Sequence, residues 1–193
     1  MKAILASGEL GSIRRLEAQF CFLLPSPGNI CYRYNLAGGA TMDCGCYPIS
    51  LLRFLAGAEP AVTHAQAHLL SPQVDYRMVA DLAFPDGRTG RMVCDMLSPE
   101  LFRSQVRVQG EAGELRVINP YHPHWFHRLT VHGRQGTRGE HIRGEDIYAD
   151  QLRAFVKAVR GEGQLSTDPA DAVGNMRVID AVYEKAGLKP RAT

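Results

Sequence analysis

The stretch Val74-Asp75-Tyr76-Arg77-Met78-Val79-Ala80-Asp81-Leu82-Ala83-Phe84 decides the fold class of this chain. Apolar or aromatic side chains occupy every second position from Val74 to Phe84, whereas Asp75, Arg77 and Asp81 occupy positions between them. Successive side chains of a β-strand point to opposite faces of a sheet, so this alternation indicates a strand with one buried and one polar face. We therefore expect these three charged residues to lie on the polar face.

The segments that surround this strand predict further strands joined by tight turns. Pro85-Asp86-Gly87 supplies turn residues before a strand from Arg88 to Leu97. Glycines at positions 110 and 113 turn a strand around 102–108 into a short strand at 115–118. Consecutive strands that are joined this closely are antiparallel. An apolar-rich run over residues 12–24 predicts one more strand before these.

Three stretches carry the residue spacing of helices. The first runs from Gly39 to Leu55 and ends at Gly57, and the second covers residues 152–159. The third follows Asp168 and Pro169, which suit the N-cap and the first helical position. We expect both of these terminal helices to cover the sheet. This order of elements predicts an α+β fold, an open, mainly antiparallel β-sheet with helices packed on one face, in a single domain over residues 1–193.

Composition limits the classes of protein and of partner. With 193 residues, 45% of them hydrophobic, the chain is long enough for one globular domain with its own core. The net charge of +2 comes from 22 basic and 20 acidic residues with both signs interspersed, which argues against nucleic acid and membrane surfaces as partners. The N-terminus lacks the apolar run of a signal peptide. Five cysteines form an odd, sparse set, so we expect a reduced, cytoplasmic protein.

Two phosphate-binding sequence patterns do not occur in the chain. One is Gly-x-Gly-x-x-Gly between a strand and a helix, and the other is Gly-x-x-x-x-Gly-Lys. Such loops bring a pyrophosphate or a phosphate onto the N-terminus of a helix. We therefore expect no nucleotide-binding domain within these residues.

The most informative stretch for chemistry is YRYNLAGGATMDCGCYPISLLR, residues 32–53. Asp43 and Tyr47 are four residues apart in the first turns of the predicted helix, so their side chains share a face beside two glycines, Gly38 and Gly39. A carboxylate and a phenol held together can bind a hydroxyl group of a sugar or polyol. The phenol can also transfer a proton when a nearby cation lowers its pKa. The alternative is structural: Asp43 stabilises the helix dipole and Tyr47 packs.

Other groups of residues suggest weaker hypotheses. His122-Pro123-His124-Trp125-Phe126-His127 is rich in histidine, and two imidazoles could share a metal, but a sheet-edge loop with solvent-facing histidines is the simpler interpretation. Cys44-Gly45-Cys46 fits core thiols under a helix better than a redox or zinc site. Trp125 and Phe126 either wall a sugar site or belong to the core. Three arginines alternate along the strands as on a solvated or interface face: Arg103, Arg107 and Arg116.

The stretch at residues 32–53 resembles the motif that opens the long helix in the second domain of the glucose-fructose oxidoreductase, inositol dehydrogenase and MocA family. Its tyrosine form is similar to the branch that contains dihydrodiol and xylose dehydrogenases. The similarity extends over almost the whole chain, in order along the sequence. Gly8-Glu9-Leu10-Gly11-Ser12-Ile13-Arg14 resembles the strand that enters that domain, Gly110-Glu111-Ala112-Gly113-Glu114-Leu115 its sheet turn, and residues 167–183 its closing helix.

This resemblance implies a site and a cofactor. Tyr47 matches the acid/base residue of the family and Asp43 its partner carboxylate. Arg33 and the Gly38-Gly39 turn lie where substrate and nicotinamide would approach. The implied cofactor is NADP or NAD, held mainly by an N-terminal Rossmann domain that these residues do not contain. The catalytic lysine of the family, in a Glu-Lys-Pro motif of that domain, has no counterpart here.

Two functional hypotheses follow from the resemblance. In the first, the chain is the substrate-binding and oligomerising domain of an NAD(P)-dependent oxidoreductase that acts on a sugar, polyol or cyclic diol. In the second, it is a free-standing, non-catalytic module for binding or assembly. Under either hypothesis we expect a homo-oligomer formed through the open face of the sheet.

Overall fold

The computed structural model describes residues 1–26, 28–134, 136–141, 146–163, 165 and 167–191. Its strands are β1 (Ile13–Leu23), β2 (Ala61–Ser71), β3 (Val74–Ala83), β4 (Thr89–Asp95), β5 (Leu97–Gly110), β6 (Glu114–Ile118), β7 (Arg128–Gly133) and β8 (Gly136–Glu140). Its α-helices are α1 (Lys2–Ala6), α2 (Cys46–Ala56), α3 (Ile147–Val159) and α4 (Pro169–Lys185). None of these helices is both long and apolar enough to cross a lipid bilayer.

The strands form one eight-stranded open sheet in the order β2-β3-β4-β1-β5-β6-β7-β8. All neighbouring pairs are antiparallel except β1 and β4, which run parallel. The α+β class and the mainly antiparallel sheet are therefore confirmed, as are the two tight strand connections. The parallel pair arises because the single residue Met96 carries the chain from β4 past the end of β1, where the Leu24 amide donates to the Met96 carbonyl at 2.8 Å.

One face of the sheet carries the core. Helix α2 packs on β1 and β4, and α4 packs on β2 and on α2. The alternation predicts that the even-numbered side chains of β3 are buried. Four of them are: Val74, Met78, Ala80 and Leu82. The opposite face is mainly polar, apart from a small buried cluster of Cys21, Val79 and Val93. Ion pairs join adjacent strands on this face, such as Arg91 to Asp81 at 3.1 Å. The three arginines predicted for this face are all exposed: Arg103, Arg107 and Arg116.

The prediction for Asp75 is wrong, because this carboxylate is fully buried on the core side. The pairing of β3 with β2 passes from Arg77 to Asp75 while β2 advances by one residue, so Tyr76 is left as an extra residue. Such a bulge reverses the faces of the residues that lie beyond it. Asp75 therefore points toward the helices and not toward solvent.

The prediction that both terminal helices cover the sheet is confirmed for α4 and wrong for α3. Helix α3, all of which is described, contains no buried residue. Its apolar side chains are exposed: Tyr148, Leu152, Phe155, Val156 and Val159. Their helical spacing makes the helix amphipathic, but spacing does not specify which surface covers the apolar side.

Candidate active site

The helix predicted from Gly39 to Leu55 begins with a π-helical turn at Thr41–Gly45 and continues as α2. Pro48 lies in the first turn of α2, where it lacks the amide that would donate to the Cys44 carbonyl, so the wider turn avoids a broken α-helical bond. The helix ends at Gly57 as predicted, in the left-handed conformation with φ +65°. Wide turns of this kind often mark functional sites in helices.

A buried carboxylate fixes the start of this turn. Asp75 Oδ2 accepts hydrogen bonds from the Thr41 amide at 2.8 Å and from the Thr41 hydroxyl at 2.7 Å. The other carboxylate oxygen accepts from the Tyr183 hydroxyl at 3.2 Å and lies 3.4 Å from an Arg191 nitrogen. Burial raises the pKa of Asp75, while its hydrogen bonds from Thr41 and the charge of Arg191 act in the opposite direction. Sequence analysis missed this cluster because its members come from three segments that are distant in the sequence.

The two glycines of the motif are buried and closely packed. A Cβ at Gly38 would lie 2.7 Å from the Arg33 amide and from the Cys31 carbonyl. Gly39 has φ +143°, and a Cβ there would overlap Asp75 and lie 2.9 Å from the Tyr183 hydroxyl. Both glycine amides are already used, since Gly38 donates to the Arg33 carbonyl and Gly39 to the Cys31 carbonyl. The amides of Gly38 and Gly39 are therefore not free to donate hydrogen bonds to a ligand.

Asp43 and Tyr47 are both exposed at the start of the helix, on either side of the junction between the π-turn and α2. No hydrogen bond joins their side chains, which are both described. Cys31 Sγ donates to Asp43 Oδ1 at 3.2 Å. The Tyr47 ring packs edge-on against Phe20, with 5.4 Å between ring centroids, and against Tyr121 at 5.8 Å.

The electrostatics of this pair keep the phenol protonated in the chain by itself. Partial burial raises the pKa of Tyr47 above its usual value, and the neighbouring acidic groups Cys46 and Asp43 raise it further. A cation would be needed to bring this pKa toward neutrality. Arg33, the substrate-binding candidate, is exposed between two short 3₁₀ turns, Ile30–Tyr32 and Tyr34–Leu36. The structure thus places Arg33, Asp43 and the glycine turn in one connected segment.

A cleft of about 540 Å³ opens beside Tyr47 along the outer side of α2. Tyr47, Tyr121, Ser50 and Phe54 line it, and the Lys2 ammonium lies 4.1 Å from the centre of the Phe54 ring. This volume is within the range of small-molecule sites. Sequence analysis did not select Tyr121, because nothing in its local pattern distinguishes it from an ordinary loop residue.

The other candidate groups have different outcomes. His122, His124 and His127 are all partly buried, so the interpretation of these loop histidines as solvent-facing is wrong. No group of three or more metal-binding side chains occurs within the part of the chain that the structure describes. Cys44 is a buried core thiol, as predicted, whereas Cys46 is only partly buried. Trp125 is 66% exposed and does not belong to the core.

The contact between Cys31 and Asp43 gives a direct test of the site electrostatics. Burial, followed by the hydrogen bond to Asp43 and its charge, raises the pKa of the Cys31 thiol to about 11. The change Asp43→Asn is expected to lower this pKa toward the ordinary value, because the charged acceptor is removed while the burial stays. Only the thiolate is alkylated, so at pH 8 the iodoacetamide labelling of Cys31 should become several-fold faster. Peptide mass spectrometry over a pH series measures the rate.

Cys21 is the internal control for this measurement. Its pKa is raised to about 12, chiefly by burial, and Asp43 is not among the causes. Its labelling should be equally slow in both proteins. An unchanged pH profile for Cys31 in the variant would show that the two side chains do not interact in solution.

Comparisons with known proteins agree with this fold and motif. The family profile described as "GFO/IDH/MocA C-terminal domain" matches residues 1–116, so the chain belongs to this family. The resemblance identified from the sequence is thereby confirmed. Among solved structures, the aldose-aldose oxidoreductase from Caulobacter crescentus, complexed with glycerol, superposes with a TM-score of 0.87 at 21% identity. That match covers 96% of this chain and 57% of the other, and it shows that the two share a fold.

Two curated relatives are oxidoreductases of a sugar and of a sugar nucleotide. The D-xylose 1-dehydrogenase (NADP(+)) 2 of Haloferax volcanii is 32% identical over 189 residues, which are 95% of this chain and 57% of that enzyme. The dTDP-3,4-didehydro-2,6-dideoxy-alpha-D-glucose 3-reductase of Streptomyces violaceoruber is 30% identical over 200 residues, covering 97% and 58%. The chain thus spans little more than half the length of these relatives.

Proposed function

We propose that residues 1–193 form the substrate-binding domain of an NADP- or NAD-dependent oxidoreductase that acts on a hydroxyl group of a sugar, polyol or cyclic diol. The observation that carries the proposal is the exposed pair Asp43 and Tyr47, at a π-turn beside an open cleft and within the segment that matches the family. Relatives that share this segment include an NADP-dependent D-xylose dehydrogenase.

In this proposal the residues of the chain bind the substrate and move one proton. Tyr47 gives its phenol proton to the substrate oxygen during reduction and takes it back during oxidation. Asp43 orients the reacting hydroxyl, and the exposed Arg33 binds another oxygen of the substrate. A nicotinamide would supply or accept the hydride at the same carbon. Because both glycine amides are occupied, Gly38 and Gly39 contribute to the cofactor approach by allowing close packing, and the dinucleotide itself is held mainly by residues outside this chain.

The raised pKa of Tyr47 supports a mechanism in which this chain supplies the phenol and a partner domain supplies the cation that lowers its pKa. A protonated phenol is a ready proton donor for reduction, but oxidation near neutral pH requires the phenolate. Neighbouring acidic groups disfavour the phenolate in this chain. The cation that would favour it therefore has to come from the nucleotide-binding partner, as the family resemblance implies.

A fusion protein tests the proposal. The chain is joined behind the part of the Haloferax volcanii enzyme that precedes its matched region, and the reduction of NADP is followed by absorbance with D-xylose and a panel of sugars, polyols and cyclic diols. We expect turnover with at least one of them, and NADPH binding shows that the nucleotide-binding part is folded. A fusion that binds NADPH but oxidises none of these substrates would refute the proposal.

We further propose that the chain forms a homo-oligomer through the polar face of its sheet. This face is open and regular, and its charges are paired between strands, for example Arg107 with Glu114 at 2.6 Å, so a second copy can cover it without leaving single charges unpaired. Sedimentation velocity at micromolar concentration should show a dimer or larger species. A monomer at that concentration would contradict this. An assembly without redox activity in the fusion would instead favour the alternative of a non-catalytic binding module.

A further inference from the structure

The loop after β6, residues 119–127, carries an aromatic surface beside Tyr47 that the proposed function does not use. Trp125 is 66% exposed, although its ring is held in place. The indole stacks on the His122 imidazole, with 4.8 Å between centroids and 16° between planes. His124 meets the indole edge-on at 5.6 Å. One side of the indole is thus backed by protein while a large part of its surface stays open.

A chain of ring contacts joins this surface to the candidate active site. The buried Phe20 ring contacts both Tyr47, with 5.4 Å between centroids, and His122, with 6.0 Å between centroids. Tyr121 packs against both Phe20 and Tyr47 and lines the cleft beside α2. Two rings, Phe20 and His122, therefore lie between Trp125 and the proposed proton donor Tyr47. The successive ring centroids from Tyr47 to the indole are 5.4, 6.0 and 4.8 Å apart, so a ligand with one ring at Tyr47 can place a second ring on the indole.

The loop is fixed before any ligand binds. Asn119 is fully buried, with φ +54°, and its side-chain amide donates to the carbonyls of His122 and Phe126, both at 2.8 Å. The Trp125 amide donates to the His122 carbonyl at 3.1 Å. A binding surface that is already ordered loses little conformational entropy when it binds a ligand. The exposure of the indole is therefore a built-in property of the loop.

Polar atoms around the indole lack partners. The Tyr121 hydroxyl and the Nδ1 atoms of His122 and His124 are buried without a hydrogen bond to any described residue. Buried polar groups in native structures are nearly always satisfied by protein, water or a bound molecule. Burial lowers the pKa of His122, and the neighbouring His124 lowers it further, so the stacked imidazole is neutral at pH 7. The imidazole that backs the indole is therefore uncharged, and the exposed part of the surface is an apolar ring face.

We propose, on the basis of the function proposed above, that Trp125 backed by His122 is a stacking subsite for a second ring of the substrate. The sugar that reacts lies at Tyr47, and the ring attached to it lies flat on the indole. The chemistry required is a ring with one flat apolar face that can lie on the indole. The second sugar of a disaccharide and the base of a sugar nucleotide both provide it, and both kinds of ring stack on tryptophan.

Trp125 is the only tryptophan of the chain, so its fluorescence reports on this subsite alone. The purified chain is titrated with D-xylose, xylobiose and dTDP-glucose, and calorimetry follows the same titrations in variants that lack the indole. We expect at least one two-ring ligand to change the tryptophan emission and to bind at least tenfold more tightly than D-xylose. In Trp125→Ala this advantage should fall below threefold.

Phe126→Ala is the matched control, because Phe126 is 53% exposed in the same loop but contacts Phe102 and lies outside the stack. It should keep the full advantage. Binding of xylobiose alone identifies a carbohydrate as the second ring, and binding of dTDP-glucose alone identifies a base. The subsite is refuted if neither ligand binds more tightly than D-xylose, or if the advantage survives Trp125→Ala. Either of these results would refute the subsite but not the oxidoreductase proposal, which is tested by turnover of the fusion protein. Conversely, an inactive fusion protein together with binding that depends on Trp125 would refute the oxidoreductase proposal and not the subsite.

Discussion

Tyr47→Phe is expected to lower kcat by about two to four orders of magnitude in the fusion protein, with little change in KM. The substitution removes one oxygen atom and keeps the ring, so the edge-on contact with Phe20 at 5.4 Å stays. The Tyr47 hydroxyl makes no hydrogen bond to another described residue, so its loss leaves no structural partner unsatisfied. A fall in kcat therefore reports on proton transfer and not on folding.

The pH dependence sharpens this test. If Tyr47 donates the proton during reduction, the rate falls as pH rises through the pKa of the phenol, because the donor form disappears. This alkaline limb should be missing from the pH profile of Tyr47→Phe. Partial burial and the nearby acidic groups raise the pKa of Tyr47, so a bound cation that lowers it shifts the limb toward lower pH.

Tyr34→Phe is the matched control for this substitution. Tyr34 is 40% exposed in the same motif, and the Arg191 guanidinium lies 5.0 Å from the centre of its ring, a contact that phenylalanine keeps. We expect turnover within about twofold of the unchanged fusion. Equal turnover for Tyr47→Phe and for the unchanged protein would remove Tyr47 from the mechanism.

How far the sequence predicts the structure depends on the range of the interactions involved. The alternation over residues 74–84 predicts β3 correctly, since side-chain period is a local property of a strand. It misplaces Asp75 because the bulge at Tyr76 forms against another strand, β2. The helix at the motif is also predicted, but its π-turn is not. That turn has a local cause, Pro48, and a second cause that is distant in the sequence, the hydrogen bond from the Thr41 amide to Asp75.

The candidate site shows the same division. Asp43 and Tyr47 are found from the sequence because they lie in one short motif. Both are exposed, and Tyr47 lines the cleft beside α2. The contact of Arg191 with the glycine turn of this motif could not be predicted from the sequence. It is separated from Gly38 by most of the chain, yet its side chain donates to the Gly38 carbonyl at 3.0 Å. Similarly, the spacing of apolar residues in α3 predicts an amphipathic helix, but it does not predict that the apolar side is exposed in this structure.

Gly39→Ala is expected to cost more than about 4 kcal/mol of folding free energy, which is exceptional for a single methyl group. Two effects combine at this position. The backbone has φ +143°, which residues with a Cβ rarely adopt, and the new methyl group would overlap Asp75 and lie 2.9 Å from both Tyr183 and Arg191. None of these neighbours can move freely. Each is buried: Asp75 accepts hydrogen bonds from Tyr183 and Arg191, and the Arg191 guanidinium lies 4.0 Å from the centre of the Tyr183 ring. Asp75 also accepts a hydrogen bond from the Thr41 amide at the start of the site helix.

Gly87→Ala separates the two effects. Gly87 also has a positive φ, +86°, but a Cβ there has no neighbour within 4 Å, so only the backbone strain is present. That strain is worth about 1–2 kcal/mol. Urea denaturation of both variants, followed by circular dichroism, gives the comparison. If Gly39→Ala lost no more stability than Gly87→Ala, the side chains of Asp75, Tyr183 and Arg191 would be able to move away from the new methyl group. A cluster that adapts in this way could not fix the conformation of the glycine turn or the start of the site helix.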